Sequence, residues 1–401
     1  MYRNTKCMVC ISTRQNTANL IPFVQFDFET MILLDTDHAS KEKWSSGLTK
    51  VLAGRGKETK IFSIGSGINL NYMLECIRDI VSEYAAVCWN IGGGQKMQQM
   101  AVMSVFEERL NHNKQDWACY ADPNTKNIYE ITGDQHNLES SEIIINTEIT
   151  LNDILTTFQL KKRERNKDIL LWKRSEPTGQ LVSDLWRDSS HFWDREKRHA
   201  LLRSIINKDD DKPEILAGFK HGYADYFEQI VQAEVVKILC RHTEHHITEA
   251  WANVRVKDKD KEIAEWDIVL VTDFGTLIIL DAKTGIFKSK DEDARLFNLE
   301  KATGFYGKFW LVIPYLYEDM NSEAFSAEFG EKAKEMRRHP IELNALSSNV
   351  LAITGQKQKF YLQKRRKNKV QIIAERNSPE DVQVQDISFL LDVLRVELPS
   401  G

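Results

Sequence analysis

The sequence predicts an α/β protein with two folded domains that are joined by a charged connector. The chain has 401 residues, and 42% of them are hydrophobic, which is enough for ordinary globular cores. Strand and helix patterns alternate over residues 1–155, whereas residues 214–401 begin with a helix and continue with a strand hairpin. Residues 156–213 lack this rhythm and are rich in charge and tryptophan, so we expect a helical connector there.

The first 155 residues contain four strand-helix units followed by two short strands. The four strands are CMVCIS, TMILLDT, KIFSIG and AAVCWN, a helical pattern follows each, and WACYAD and NIYEIT come last. This order predicts a parallel sheet that helices cover on both faces. In such a sheet the first and fourth strands are neighbours, and ligands bind beyond the carboxyl ends of the strands.

Composition excludes several protein classes. No apolar run approaches the roughly 20 residues of a membrane span, and the polar N-terminus is no secretory signal, so we expect a cytoplasmic protein without membrane contact. Cys7 and Cys10 form a CxxC without the second pair that zinc needs, which predicts buried free thiols. The formal net charge is −5, so positive charge that could contact phosphate is local.

A hairpin is the most informative feature of the second half. Residues 265–285 read EWDIVLVTDFGTLIILDAKTG, in which Asp273-Phe274-Gly275 suits a three-residue loop. A loop centred on Phe274 places Asp267 directly opposite Asp281 on one face, with Cβ atoms about 4.5–5.5 Å apart. Two carboxylates at this separation repel each other and need a cation between them.

A hard divalent cation, Mg²⁺ or Mn²⁺, matches this predicted cluster of oxygen ligands. Asp267 and Asp281 would be ligands, and the backbone carbonyl of Ala282 would be a third. Lys283 follows Asp281 by two residues and therefore shares its face of the strand. The alternative is an ion-paired hairpin that holds no metal.

Asp267 and the run Asp281-Ala282-Lys283 resemble the motif of the PD-(D/E)XK nuclease superfamily. The resemblance covers roughly residues 214–320 and implies metal-dependent hydrolysis of phosphodiester bonds in RNA or DNA. In that superfamily a glutamate on the preceding helix completes the catalytic site. Glu228 fits that position best and Glu234 is the alternative, so the implied catalytic residues are Glu228, Asp267, Asp281 and Lys283.

A glycine-rich turn gives the first half its own candidate site. The fourth strand runs into Asn90-Ile91-Gly92-Gly93-Gly94-Gln95-Lys96 and then into a helix, whose free amides and positive end suit phosphate. The polar loop after the first strand would border the same crevice. The candidate ligand-binding residues are Thr13, Arg14, Gln15, Asn16, Asn19, Asn90, Gly92, Gly93, Gly94, Gln95 and Lys96.

This glycine turn resembles the signature of CARF domains, the CRISPR-associated Rossmann-fold sensors of cyclic oligoadenylate. CARF domains often have threonine where Gly92 and Gln95 stand. A CARF sensor, a helical connector and a PD-(D/E)XK nuclease together resemble the ancillary nucleases of type III CRISPR systems. The resemblance implies a homodimer that binds one two-fold symmetric ring, with cyclic tetra-adenylate favoured and the hexa-adenylate ring left open.

Two other functions remain compatible with the sequence. The chain could be a constitutive nuclease of the restriction or repair type, whose first domain binds a partner. It could also be a non-enzymatic regulator that responds to a ligand and binds nucleic acid. The acidic pair argues against pure binding, because carboxylates repel phosphate. The sequence does not decide between RNA, single-stranded DNA and duplex DNA as the substrate.

Overall fold

A computed structural model of the chain shows two sheets, one mainly in each half of the sequence. The described residues are 5–112, 114–122, 125–134, 137–163, 169–175, 222–241, 246–283, 307–313, 327, 349–354, 359–366 and 369–377. The first sheet has seven described strands and the second has nine. Helices accompany both sheets, so the predicted α/β class is confirmed.

The first sheet is parallel over most of its width, as the sequence predicts. Its strands are β1 (Cys7–Ile11), β2 (Thr30–Asp35), β3 (Glu58–Ser63), β4 (Cys88–Asn90), β5 (Trp117–Asp122), β6 (Asn127–Asp134) and β7 (Asn137–Ile144). The spatial order is β3-β2-β1-β4-β5-β6-β7, and β6 pairs antiparallel with both β5 and β7. The expected neighbours β1 and β4 do pair, so the loops after them open at the same edge.

Among the described residues, six helices accompany the first sheet, and two hydrophobic clusters fill its faces. They are α1 (Thr17–Gln25), α2 (Asp37–Glu42), α3 (Trp44–Gly54), α4 (Leu70–Val81), α5 (Lys96–Asn111) and α6 (Leu151–Thr157). The segment that we expected to form one helix is divided into α2 and α3, because Lys43 has a left-handed φ of 56°. Cys7 and Cys10 are buried free thiols, as predicted, and burial raises the pKa of both.

The expected helical connector contains two strands in its described part. These are β8 (Leu160–Lys162) and β9 (Ile169–Lys173), and both pair antiparallel with a strand of the second sheet, β10 (Ile247–Asp258). Leu171 and Trp172 are buried there, so a short apolar run gains more from an open sheet edge than from a solvated helix. The remainder of the predicted connector, residues 176–213, lies outside the described residues.

After the connector, the chain forms a helix and then a long hairpin of the second sheet. Its other elements are α7 (Tyr223–Arg241), β11 (Lys261–Thr272), β12 (Leu277–Ala282), β13 (Lys308–Ile313), β14 (Asn349–Thr354), β15 (Lys359–Arg366) and β16 (Lys369–Asn377). The order is β16-β15-β14-β13-β12-β11-β10-β8, and β9 also pairs with β10. The polar stretch 250–265 was not predicted as strand, yet its alternating residues Ala252, Val254 and Val256 are buried. The helix expected around residues 292–307 falls almost entirely outside the described residues.

The β11–β12 hairpin has the register that its loop predicts. Val271 pairs with Leu277 and Ile268 with Leu280, so Asp267 and Asp281 are the next opposed positions. Gly275 has a φ of 74°, and its amide donates to the carbonyl of Thr272 at 3.0 Å. The three-residue loop therefore fixes which side chains of the two strands share a face.

The two halves share one hydrophobic core. A single cluster joins Leu20 and Phe23 of α1 with Val269 and Leu277 of the hairpin. In the described part of the chain no helix is long and apolar enough to cross a membrane. The relative placement of the two sheets is therefore fixed by packing as well as by the chain that connects them.

A buried ion pair in the first domain should be costly to break. The Asp116 carboxylate accepts from Arg109 Nε at 2.6 Å, Trp89 Nε1 at 2.7 Å and the Val87 amide at 3.1 Å. We expect Asp116→Ala to lower the free energy of unfolding by about 3–5 kcal/mol, because Arg109 would stay buried without its carboxylate.

Urea unfolding followed by circular dichroism measures this change. The matched control is Glu108→Ala, which removes the exposed partner of Arg78 and should cost less than about 1 kcal/mol. Equal losses in both variants would contradict a structural role for the buried pair.

Candidate functional site

The end of the β11–β12 hairpin holds two carboxylates and one ammonium group. Lys283 Nζ lies 3.2 Å from Asp267 Oδ2 and 3.0 Å from Asp281 Oδ1, and it donates to the Ala282 carbonyl at 3.2 Å. The Ala282 amide also donates to Asp267 Oδ2 at 2.9 Å. Asp281 is buried and Asp267 is nearly so. The residues predicted to form the site therefore converge on one point.

Helix α7 adds a third acidic group to this cluster. Burial and the nearby Asp267 carboxylate raise the pKa of Glu228 to about 8, and Lys283 opposes that rise. The Glu228 carboxylate also accepts from Gln232 Nε2 at 3.0 Å. Glu234, the alternative, is buried on the same helix. This electrostatic contact with Asp267 and Lys283 favours Glu228 as the glutamate of the site.

The oxygen donors at the hairpin end suit Mg²⁺ or Mn²⁺, which need only a few protein ligands, better than an ion whose ligands all come from the protein. In the described ranges no three Asp, Glu, His or Cys side chains are arranged to chelate a metal on their own. Mg²⁺ is commonly held by one or two carboxylates, with water and substrate phosphate completing its shell. Asp267 and Asp281 supply such a pair, and the Ala282 carbonyl faces the same ammonium group.

A cavity of about 410 Å³ opens at the carboxyl ends of β1 and β4. We call it the glycine-loop cavity. Of the eleven predicted ligand-binding residues, seven line it: Thr13, Arg14, Gln15, Gly92, Gly93, Gly94 and Gln95. The two loops that the sequence placed at one crevice thus do meet there.

The three predicted asparagines lie beneath the cavity and do not line it. Asn90 Nδ2 donates to Asn19 Oδ1 at 2.7 Å, and Asn19 Nδ2 donates to Asn16 Oδ1 at 2.9 Å. Asn90 Oδ1 accepts from the Gly92 amide and Asn16 Oδ1 from the Thr13 amide. These buried amides therefore tie the two cavity loops together. Lys96 is exposed in the first turn of α5, also outside the cavity lining.

Two glycines are required by different constraints. Gly94 has a φ of 93°, and a Cβ there would lie 2.6 Å from Ile11 Cδ1. Gly93 has no such φ, but a Cβ would lie 3.0 Å from Thr13 Cγ2 and 3.3 Å from the Ile11 carbonyl oxygen. The loop is therefore packed against β1 and its first turn, which keeps its backbone at the cavity wall.

Several cavity residues were missed by sequence reasoning. They include Thr36, His38, Trp44, Tyr120, Phe274, Gly275 and Thr276. The first three follow β2, so the rule that ligands bind at the carboxyl ends of strands contained a signal for them. The last three come from the second sheet, and only the packing of the two halves reveals them.

Three solved structures share this arrangement of sheets and helices. The chain is similar to protein VC1899 from Vibrio cholerae, with 16% identity and a TM-score of 0.58 over 83% of this chain and 96% of that one. It is similar to Can2 from Sulfobacillus thermosulfidooxidans, solved in complex with cyclic tetra-adenylate, with 15% identity and a TM-score of 0.56 over 84% and 99%.

The third is a type III CRISPR defence DNA nuclease activated by cyclic oligoadenylate, with 12% identity and a TM-score of 0.50. The match covers 77% of this chain and 45% of that nuclease. No protein-family model and no curated protein sequence matches the chain.

The fold is therefore the arrangement of two sheets with their helices that these three structures share. The match spans 96% of the VC1899 chain and 99% of the Can2 chain, so the shared fold extends over nearly the whole of both. At such identities the comparisons establish the fold, and the chemistry of this chain has to be argued from its own residues.

The raised pKa of Glu228 predicts a pH-dependent cost to folding. The unfolded carboxyl loses its proton near its ordinary pKa of 4.5, whereas the folded one keeps it up to about 8. Stability is therefore lost as pH rises between these values. We expect Glu228→Gln to stabilise the metal-free protein at pH 7 by up to about 3 kcal/mol.

Urea unfolding in EDTA at pH 4.5, 7 and 8.5 tests this expectation. The advantage of Glu228→Gln over the wild type should vanish at the lowest pH and be largest at the highest. An advantage independent of pH would show that the carboxyl of Glu228 is not perturbed.

Proposed function

We propose that this chain is a metal-dependent nuclease that a cyclic oligoadenylate activates as part of type III CRISPR defence. The observation that carries the proposal is the convergence of Asp267, Asp281 and Lys283 at the end of one hairpin, with Glu228 beside them. The likeness to Can2 and to a DNA nuclease activated by cyclic oligoadenylate supports it.

The residues of the hairpin end divide the chemistry of phosphodiester hydrolysis among them. Asp267, Asp281 and the Ala282 carbonyl would hold Mg²⁺ or Mn²⁺, which when bound lowers the pKa of water and polarises a phosphoryl oxygen. Lys283 is already held between both carboxylates, so its ammonium group is positioned to offset charge on the phosphate in the transition state. Glu228, with its raised pKa, can exchange a proton near neutral pH.

The glycine-loop cavity is the proposed site of the activator. Amides of the glycine loop, the polar loop after β1 and Arg14 suit phosphates, and the lining also contains the aromatic side chains of Trp44, His38 and Tyr120, which suit bases. Can2 was solved with cyclic tetra-adenylate, and we propose the same ring for this chain.

A homodimer is the proposed functional state. Four large apolar side chains are exposed near the start of α4 and α5: Ile68, Tyr72, Met97 and Met100. This is the end of the first sheet at which the glycine-loop cavity opens, so a two-fold axis there would let one symmetric ring contact two cavities. Sedimentation of the purified wild-type chain should give a dimer, and Met100→Glu should weaken that dimer. A monomer in both the wild type and the variant would contradict the proposed homodimer.

Two alternative functions differ from the proposal in measurable ways. A constitutive nuclease would cut at full rate without ligand. A non-enzymatic regulator would bind nucleic acid without cutting it under any condition. The acidic pair disfavours the second alternative, because a purely binding surface gains nothing from carboxylates near phosphate.

The nuclease assignment is tested by cleavage of labelled RNA, single-stranded DNA and plasmid. Mg²⁺ or Mn²⁺ is supplied, with and without each cyclic oligoadenylate. We expect cleavage that needs both metal and ring. Asp281→Asn should reduce it by about 100-fold or more, because the cation that would stabilise charge in the transition state loses a ligand.

The matched control is Glu262→Gln, which lies on the same strand five residues before Asp267 and pairs with Arg163. It should leave the rate unchanged. Wild-type turnover by Asp281→Asn would remove the metal site from this hairpin.

The cavity assignment is tested by titrating the activator. Among the described residues that line the cavity, Arg14 alone carries a full positive charge at neutral pH. We expect Arg14→Ala to raise the ring concentration needed for half-activation by about tenfold, the loss of a charged hydrogen bond. Excess ring should restore the full rate, because a filled site shifts the same equilibrium.

Lys96→Ala is the comparison, because Lys96 is a cation outside the cavity lining. Lys96→Ala should raise the ring concentration needed for half-activation by less than Arg14→Ala does. Identical titration curves for wild type and Arg14→Ala would place the activator elsewhere.

A further inference from the structure

The turn between β11 and β12 lies in the wall of the glycine-loop cavity, although its strands belong to the second sheet. Phe274, Gly275 and Thr276 line the cavity together with the glycine loop and Thr13. A ligand that fills the cavity therefore meets residues of both sheets. The same turn connects the two strands that carry Asp267 and Asp281.

Close packing fixes the turn against the first domain. A Cβ on Gly275 would lie 3.2 Å from Ile21 Cδ1 of α1, and Gly275 has a φ of 74°. The Phe274 ring is buried, with its centroid 5.7 Å from the His246 ring and 5.9 Å from Lys126 Nζ. The turn has little room to move without displacing α1 or the strand β10.

Hydrogen bonds fix the first residue of the turn from three directions. Thr147 Oγ1, in the loop after β7, donates to the Asp273 carbonyl. The buried Asp273 carboxylate lies 3.2 Å from Arg174 Nη2 and 3.1 Å from His246 Nδ1. The position of Asp273 thus depends on groups from both halves of the chain.

The strands behind the turn are suited to pass a displacement onward. From Thr276 to Asp281 the strand runs about five residues, or roughly 17 Å. All residues from Ile268 to Val271 and from Leu277 to Leu280 are buried. In a close-packed interior such paired strands shift together instead of absorbing the movement.

We propose that the Asp273–Thr276 turn is the contact through which a ligand in the glycine-loop cavity sets the geometry of the carboxylates at the other end of the hairpin. This inference rests on the proposed function of both sites. A ligand that binds the turn better in one arrangement shifts the population toward it. Such coupling between two sites is typically about 5–150-fold.

Two conservative variants of the turn test the proposal in the full chain. Phe274→Leu keeps an apolar side chain, and Thr276→Val keeps the β-branched shape and the backbone bonds to Thr272. At saturating cyclic tetra-adenylate the ligand raises the cleavage rate by some factor in the wild type. We expect that factor to be at least about fivefold smaller in one or both variants, which is the low end of the usual range of coupling. Arg14→Ala, by contrast, should recover fully at saturation. Full recovery of both turn variants would overturn the proposal.

Hydrogen exchange supplies a readout that needs no cleavage. Adding cyclic tetra-adenylate to the wild type should slow amide exchange at Asp273–Thr276 by about fivefold or more, as well as at Gly92–Gly94. Slower exchange at the glycine loop alone would overturn the inference. Calorimetry of the same sample shows whether the ring binds, so a failure of the activator assignment is seen separately. A failure of the nuclease assignment is seen in the cleavage assay.

Discussion

Asp267 and Asp281 lie side by side in a poorly solvated position, and this arrangement has an electrostatic cost that the hairpin has to bear. Lys283 offsets one of the two charges, and burial together with the nearby Asp267 carboxylate raises the pKa of Glu228 beside them. A fold does not retain such a cluster for stability, because buried charges gain little from pairing after they lose water. A divalent cation and a phosphate would balance the cluster, and this is why we propose hydrolysis of a phosphodiester for it.

Keeping the two carboxylates together requires an exact strand register. Side chains alternate along a strand, so a slip of one residue would send one carboxylate to the opposite face. The register is fixed by the three-residue loop with Gly275 at positive φ, and by burial of the intervening strand residues on both faces. The β11–β12 turn is packed on α1, so the first domain contributes to the geometry of a site on the second sheet.

Local sequence determines much of this, but not all of it. Alternation and turn chemistry are local, so the hairpin register, the parallel sheet and the pairing of β1 with β4 could be predicted. The pairing of β9 with β10 could not, because a short apolar run suits either a helix or an open sheet edge. The pairing of β8 could not either, because Leu160–Lys162 is too short and too polar to show a strand pattern. Asn19 and Asn90 have the polarity of ligand contacts, and only burial shows that they support the cavity loops.

A shared core changes what ligand binding can do. If the two halves were joined only by a flexible segment, a ligand in the first would not affect the second. Here one hydrophobic cluster contains Leu20 of α1 and Leu277 of the hairpin, and Phe274 is part of both that cluster and the cavity wall. Linkage is reciprocal, so a ligand that favours one arrangement of the hairpin must bind more tightly when that arrangement is stabilised from its other end. If a cation and nucleic acid bind at Asp267 and Asp281, they would raise the affinity of the cavity for its ligand. The cavity ligand would raise the affinity for the cation and nucleic acid by the same factor.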